Sequence, residues 1–188
     1  NIGFVLEKPA NSDTFNNLGT LYVRIKDYKK SEKNFKKAIS INPNSPEYLY
    51  NYATLLQEKG NYKSAASTYN KVIKIKPFYP KAHNNLGYVL SFTGKHNEAI
   101  RQYKKAIKLE PGNIDLHSNV ANVFTDIGEF QKAIYHYDVL GTSYGEARSL
   151  ECLFHMRNFD EFNERLVNSS KSRNINIRIA ALSAFASH

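Results

Sequence analysis

The sequence contains one cysteine, one methionine and no tryptophan. Cys152 alone cannot form an intrachain disulfide or supply a cysteine-rich metal site, which favours the cytoplasm or another reducing compartment. No apolar run approaches the roughly 20 residues that cross a bilayer, so no membrane span is expected. Residues 1–11 lack the basic and apolar regions of a signal peptide. Proline (6) and glycine (9) are too few for a collagenous or low-complexity chain.

Patterns that carry catalysis are also missing. The sequence has no glycine-rich phosphate loop, no G-x-S-x-G motif and no histidine pair at metal-binding spacing. Cys152 and His155 are close enough to touch on a helix, but no third group orients them. His83 and His117 occupy equivalent places, where packing is the expected role. We expect no catalytic site, metal or cofactor in this chain, whereas a catalytic domain outside it stays open.

Several columns of residues recur every 34 positions. They comprise Pro43, Pro77 and Pro111; the small residues Gly19, Ala53, Gly87 and Ala121; a second small set, Ser31, Ala65, Ala99 and Ala133; and the aromatic residues Phe35, Tyr69, Tyr103 and Tyr137. Such a period indicates stacked units, each of which buries its apolar face only when a neighbour covers it. The small residues predict two helices that approach closely within each unit. Tyr69, Tyr103, Leu86 and Ala99 should be buried between units.

The segment 80–113 illustrates one unit. Its first helix is predicted over residues 80–92 and its second over residues 97–109, because apolar residues follow a helical period in both. Gly94 lies between them and predicts a left-handed C-terminal cap. Pro111 ends the second helix because proline cannot continue it.

This pattern resembles the tetratricopeptide repeat, a pair of antiparallel helices with the same period of 34 residues. The small-residue pairs, the aromatic column and the closing prolines stand where that family requires them. The resemblance implies an all-α fold, a right-handed α-solenoid whose first helices line the concave side and whose second helices line the convex side. It implies repeats at 12–45, 46–79, 80–113 and 114–142, the last without its closing proline.

The N-terminal residues 1–11 have two interpretations. They are either the tail of a preceding repeat or an unstructured leader. A missing preceding repeat would leave apolar surface exposed on the first repeat, and such surfaces often pair with another copy. Self-association through this terminal repeat is therefore a further prediction.

The C-terminal region departs from the regular period. Phe159 lies 29 residues, not 34, after its counterpart, which predicts a shortened connection and a degenerate helix pair. Leu150 and Phe162 stand where earlier repeats have small residues, so this pair must pack differently. A last helix is either a polar-faced cap or a link to a following domain. These three helices are predicted at 144–156, 159–169 and 175–186, within a region 143–188, and about eleven helices are expected in all.

Asn17, Asn51, Asn85 and Asn119 form a column on the first helices. Neither helix propensity nor packing demands asparagine there. Each amide offers two donors and an acceptor, so a row of free amides could clamp the backbone of an extended peptide. The column resembles the asparagine ladder in the repeat region of O-linked N-acetylglucosamine transferase, which holds extended protein substrates. Alternatively, each asparagine bridges adjacent first helices without a ligand. Arg148 is the matching residue in the degenerate unit.

Neighbouring columns predict a polar groove. Further candidate peptide contacts are Asn16, Asn84, Thr20, Tyr88 and Asn122. The aromatic residues Tyr50, Tyr88 and Phe92 are either peptide contacts or edges of the inter-helix core. A carboxylate clamp like that of chaperone-binding members of the family needs Lys or Arg where Asn16 and Asn85 stand, so this mode is not expected.

The formal net charge is +9, and the excess lysines concentrate on the second helices. They are Lys29, Lys30, Lys33, Lys36 and Lys37 on one helix, Lys71 and Lys74 on the next, and Lys104, Lys105 and Lys108 on the third. The simpler interpretation is a solvated face; the alternative is a basic ridge for nucleic acid or a membrane surface. The groove carries both signs of charge and is no cationic funnel, so a nucleic-acid partner is not expected.

Two functional hypotheses follow. The first is a protein-interaction scaffold that binds an extended peptide or protein segment in the concave groove through the asparagine column. The second is a substrate-recruiting region of a larger enzyme, such as a glycosyltransferase. A catalytic domain in the flanking coding sequence would favour the second.

Overall fold

The computed structural model describes residues 11–171, and these form ten α-helices and no β-strand. The helices are α1 Ser12–Arg24, α2 Tyr28–Ile41, α3 Pro46–Glu58, α4 Tyr62–Ile75, α5 Pro80–Phe92, α6 His96–Leu109, α7 Ile114–Asp126, α8 Phe130–Val139, α9 Ser143–His155 and α10 Phe159–Ser170. The predicted all-α helical-repeat fold is confirmed. The predicted last helix at 175–186 and the leader up to residue 10 lie outside the described residues.

Short polar side chains mark where helices begin. Asn11 Oδ1 accepts a hydrogen bond from the Thr14 backbone N–H at 2.9 Å, and an Asp27 carboxylate oxygen accepts one from the Lys30 backbone N–H at 3.1 Å. These contacts satisfy N–H groups that have no partner inside the helix. Pro46 begins α3 at a position where its missing N–H costs nothing.

The turn inside each helix pair contains a residue in the left-handed region. Gly94 has a φ of 77°, as predicted, and Gly128 has a φ of 76°. Lys26 (φ 59°) and Arg157 (φ 56°) take the equivalent place in the first and last pairs. A side chain at such a φ costs roughly 1–2 kcal/mol. Because Arg157 follows Gly128 by 29 residues, the last pair repeats the turn geometry at the shortened spacing.

The chain divides into two compact units, Asn1–Val89 and Leu90–His188. In the first unit, α1 packs on α2, α2 on α3 and α3 on α4. In the second unit, α6 packs on α7, α7 on α8, α8 on α9 and α9 on α10. Each unit therefore buries its apolar stripes by stacking successive helices.

The aromatic column supplies the largest buried side chains. Tyr69 is 0% exposed and Tyr103 is 2% exposed. Leu86 and Ala99 are also buried, so the predicted burial of these four residues is confirmed. Each large apolar side chain removed from water stabilises the fold by about 1.5–3 kcal/mol.

The small residues of the first repeat mark a close helix approach. A Cβ atom added at Gly19 would lie 2.6 Å from two ring atoms of Phe35. Ser31 Oγ donates a buried hydrogen bond of 2.8 Å to the Gly19 carbonyl oxygen. A larger side chain at either position would separate α1 from α2.

The degenerate helix pair approaches its neighbour at a different residue. Leu150 and Phe162 are buried where earlier repeats have small residues. A Cβ atom at Gly145 would instead collide with the Tyr137 carbonyl oxygen and contact the Leu140 side chain. The repeat columns do not identify Gly145, because its equivalent positions hold residues of different size, Leu116, Ala82 and Tyr48.

Within residues 11–171, no helix has both the length and the apolar character needed to span a membrane.

Candidate functional site

The first two asparagines of the column, Asn17 and Asn51, differ in their hydrogen bonding. Asn17 on α1 is exposed, and no hydrogen bond to its amide exists within residues 11–171. Asn51 on α3 donates from Nδ2 to Oδ1 of Asn16 at 3.0 Å. Asn16 is only 3% exposed. Asn51 therefore bridges two first helices, as the alternative interpretation of the column expects, and keeps one N–H and its carbonyl oxygen for other partners.

Asn85 on α5 uses both its amide donors and its carbonyl oxygen within the protein. Its Nδ2 donates to the hydroxyl oxygens of Tyr50 at 3.0 Å and Tyr69 at 3.1 Å. Its Oδ1 accepts a hydrogen bond of 3.2 Å from Nδ2 of Asn84. The expectation that the amides are free of intramolecular partners is therefore wrong for Asn85 and for Asn51. Asn51 and Asn85 have different partners because the first repeat has Phe35, which carries no hydroxyl, at the place where the second repeat has Tyr69.

Tyr69 lies at the centre of a polar cluster inside the first unit. Its hydroxyl donates to Oε1 of Gln57 at 3.0 Å and lies 3.2 Å from Oγ1 of Thr54. Burial raises the pKa of Tyr69 to about 12, although hydrogen bonds from Thr54 and Asn85 oppose this shift. Burial also raises the pKa of Tyr50. Both hydroxyls stay neutral at physiological pH, so the cluster is held by uncharged hydrogen bonds.

A polar cavity lies beside Asn51. Its volume is about 480 Å³, and it is lined by Ser45, Pro46, Glu47, Tyr50, Asn51, Lys76, Tyr79 and Lys81. The Tyr50 and Tyr79 rings are 5.2 Å apart and tilted by 39°. Lys76 Nζ lies 5.1 Å from the centre of the Tyr79 ring. The cavity thus combines aromatic surface, two cations, one carboxylate and an amide with unused capacity.

The remaining candidate contacts differ in accessibility. Thr20 Oγ1 donates to the Asn16 carbonyl oxygen at 3.1 Å and so is used within its own helix. Tyr88 is 45% exposed and Phe92 is 62% exposed, which places these two aromatic side chains outside the core. Tyr50 is half-buried, so it belongs both to the cavity and to the inter-helix packing.

The second unit contains a related cluster around Tyr137. The Tyr137 hydroxyl donates to Oδ1 of Asn122 at 2.7 Å and accepts a hydrogen bond of 3.3 Å from Nε of Arg148. Arg148 also pairs with Glu151. Arg148 thus donates to Tyr137 as Asn85 donates to Tyr69, which agrees with its predicted place in the column. Asn119 is half-buried and engaged with a neighbour.

His83 and Cys152 are buried in the core. His83 is 3% exposed, and its Nε2 lies 2.9 Å from the Pro77 carbonyl oxygen. Cys152 is buried with Sγ 3.8 Å from Oγ1 of Thr125, and burial raises the pKa of its thiol, which disfavours the nucleophilic thiolate. The described residues contain no group of three or more His, Cys, Asp or Glu side chains that could hold a metal ion.

Two histidines of the second unit form an unexpected pair. Nδ1 of His117 lies 3.1 Å from Nδ1 of His136, so one nitrogen donates and the other accepts. Burial lowers the pKa of His117. Burial, followed by the charges of His117 and Lys104, lowers the pKa of His136 to about 4. Both rings are neutral at physiological pH.

Comparison with family models identifies the repeats. Two models, both described as tetratricopeptide repeat, match residues 10–77 and residues 80–113. Together these segments make up more than half of the chain. The chain belongs to the tetratricopeptide-repeat family. Proteins of this family bind protein or peptide partners, so the chain has the fold of a protein-interaction scaffold. A search of curated proteins finds no match.

Solved structures share the fold of this tetratricopeptide-repeat chain. A MamA protein matches with a TM-score of 0.78 and 18% identity, covering 93% of this chain and 92% of that one. YrrB, described as a TPR protein with an unusual peptide-binding site, matches with a TM-score of 0.76 and 15% identity, covering 96% and 94%. PilF of Pseudomonas aeruginosa has a TM-score of 0.72 and 16% identity, covering 94% and 83%. At these identities the likeness shows the fold alone.

Proposed function

We propose that this chain is a scaffold that binds an extended peptide segment along its first helices. The polar cavity beside Asn51 is the observation that carries the proposal. It is large enough for one or two side chains, and it offers backbone-pairing groups together with the Tyr50 and Tyr79 rings. Aromatic surface with a few placed polar groups is what peptide recognition requires.

The asparagines divide the work between them. Asn17 is exposed and Asn51 keeps one N–H and its carbonyl oxygen, so these two side chains contact the peptide backbone. Asn85 uses both N–H groups on tyrosine hydroxyls and holds Tyr50 at the edge of the cavity. Asn85 is therefore a positioning residue. Asn119 and Asn122 are separate candidate contacts within the second unit.

The test uses peptides selected by display of a random library on the wild-type protein. Asn17→Ala combined with Asn51→Ala should weaken binding of the selected peptides about tenfold, because each lost hydrogen bond costs about 0.5–1.5 kcal/mol. Asn70→Ala is the matched control, since Asn70 is an exposed asparagine on the second helix α4. The control should bind as tightly as wild type.

Stability separates binding roles from structural ones. Asn85→Ala should lower the free energy of unfolding, whereas Asn17→Ala should leave it within about 0.5 kcal/mol. Lost stability with intact binding in the Asn17 and Asn51 double variant would make the column structural and would remove the proposed role.

The alternative of an enzyme's substrate-recruiting region gains no support from the matched family or the structures named above.

Self-association stays a prediction with one favourable observation. Leu21 on α1, the first described helix, is 50% exposed, and Ile25, which directly follows that helix, is 63% exposed. Sedimentation at increasing concentration should show dimers that Leu21→Ser and Ile25→Ser together abolish; a monomer at every concentration would contradict it.

A further inference from the structure

The second helix α2 carries a concentrated positive charge. Its 14 residues include five lysines and one glutamate. A cavity of about 540 Å³ opens beside it, here named the α2 cavity, lined by Tyr28, Lys29, Glu32, Lys33, Lys36 and Lys59. None of these residues belongs to the candidate peptide surface of the first helices.

Glu32 organises two of the lysines around the α2 cavity. Its carboxylate oxygens lie 2.7 Å from Lys36 Nζ and 2.5 Å from Lys59 Nζ. Hydrogen bonds from Lys36 and then Lys59 lower the pKa of Glu32 to about 2. Lys59 caps the end of α3, so this charge triad ties α2 to the neighbouring helix and fixes one wall of the cavity.

Lys29 and Lys33 form the other wall and have no carboxylate within ion-pair distance among residues 11–171. Both are exposed. Their neighbour Lys30 differs, since it pairs with Asp27 at 3.0 Å. With four lysines against a single glutamate, the cavity keeps a net positive charge.

We propose that the α2 cavity is a second docking site, which binds an extended acidic protein segment. Lys29 and Lys33 are four residues apart on one helix, which places their Cβ atoms about 5–6 Å apart. Alternate residues of an extended chain are about 6.6 Å apart on one face. Aspartate or glutamate at alternate positions of the segment can therefore pair with both lysines at once.

The same observations favour a protein segment over nucleic acid or a membrane. The cavity is lined by lysine and contains no arginine, the residue best suited to bidentate phosphate recognition. A concave site bounded by two helices fits a single chain better than it fits a flat bilayer.

The experiment measures binding of a fluorescent peptide that alternates glutamate with serine, and of the same peptide with glutamine for glutamate. The double variant Lys29→Gln, Lys33→Gln removes the charges of the two cavity lysines that have no carboxylate partner among the described residues. Lys71→Gln with Lys74→Gln is the matched control. Both lysines are exposed on α4, so these substitutions remove the same amount of charge elsewhere in the same unit. Thermal unfolding of both variants checks that the fold is intact.

The wild type should bind the glutamate peptide, and more weakly as salt rises. The cavity variant should weaken binding about tenfold, whereas the control should stay within about twofold of wild type. Equal weakening in both variants, equal binding of the glutamine peptide, or no binding by wild type would overturn the proposal. Tighter binding of single-stranded DNA or phosphatidylserine vesicles, lost in the cavity variant, would also overturn it.

Discussion

The clusters around Tyr69 and Tyr137 occupy equivalent places in two repeats yet use different chemistry. The Tyr69 hydroxyl accepts from the neutral amide of Asn85, whereas the Tyr137 hydroxyl accepts from the guanidinium of Arg148. Both tyrosines are fully buried and sit at the same repeat position. The repeat therefore conserves the geometry of a donor that meets a buried hydroxyl, while the identity and charge of the donor can change.

This difference separates a regular region from an irregular one. In the first unit the donor is the uncharged amide of Asn85, which donates to the hydroxyls of two tyrosines. In the second unit the donor also pairs with Glu151 and is 30% exposed in its side chain. We expect the first cluster to respond chiefly to loss of packing and hydrogen bonds, and the second to respond also to salt.

The largest loss of stability should come from substitutions at the close helix approaches. Gly145→Ala should destabilise by about 3 kcal/mol, the upper end for overpacking, because its Cβ would meet the Tyr137 backbone. Gly19→Ala should cost about 1–2 kcal/mol, since there the obstacle is the Phe35 ring, which can move slightly. Urea unfolding measures both. Gly112→Ala is the control, because nothing lies within 4 Å of an added Cβ. An unchanged free energy of unfolding in Gly145→Ala would contradict this packing.

Removing the two hydroxyls sharpens the comparison of clusters. Tyr69→Phe should cost about 1–3 kcal/mol because buried partners lose a hydrogen bond. Tyr137→Phe should cost about 0.5–1.5 kcal/mol, since Arg148 keeps Glu151 and reaches water. Tyr135→Phe, at a side chain that is 65% exposed, should change stability by less than about 0.5 kcal/mol. Equal costs for Tyr69→Phe and Tyr137→Phe would break the proposed distinction.

Mild acid should weaken the second unit first. The folded pKa of His136 lies near 4, below the ordinary 6.5, so the unfolded chain binds the proton first as pH falls. Stability present above about pH 6.5 should therefore be lost progressively between 6.5 and 4. Glu32 in the first unit loses its contribution later, as pH falls from 4.5 toward 2. Thermal unfolding across this range measures the loss.

A histidine replacement provides the control for that titration. His136→Gln should flatten the dependence between pH 6.5 and 4, because the depressed pKa is removed. An unchanged pH profile in this variant would show that other groups account for the acid response.

The smallest effect should come from restoring asparagine to the irregular repeat. Arg148→Asn keeps a donor near Tyr137 and removes the partly exposed pair with Glu151, so stability should change by no more than about 1 kcal/mol. The salt dependence of unfolding should decrease at the same time. Comparing melting temperatures at low and high salt tests this, and an unaltered salt response would mean that the pair contributes nothing measurable.

Sequence alone determined the helix pairs, the buried aromatic column and the place of Arg148. These follow from a period of 34 residues, with one shortened interval, and from turn and cap residues that act within a few positions of the chain. Local signals of this kind need no knowledge of what lies across a helix interface.

The partners of the site residues were decided only in the tertiary structure. Asn85 meets Tyr69 from a different helix, and Lys59 reaches Glu32 across 27 residues of chain. The close approach at Gly145 likewise depends on how α9 meets the backbone of α8. An amide column on a helix is compatible with free or engaged side chains. The choice depends on whether a neighbouring helix brings a hydroxyl within about 3 Å. Phe35, which stands where the other repeats have tyrosine, shows how one missing hydroxyl group changes that outcome.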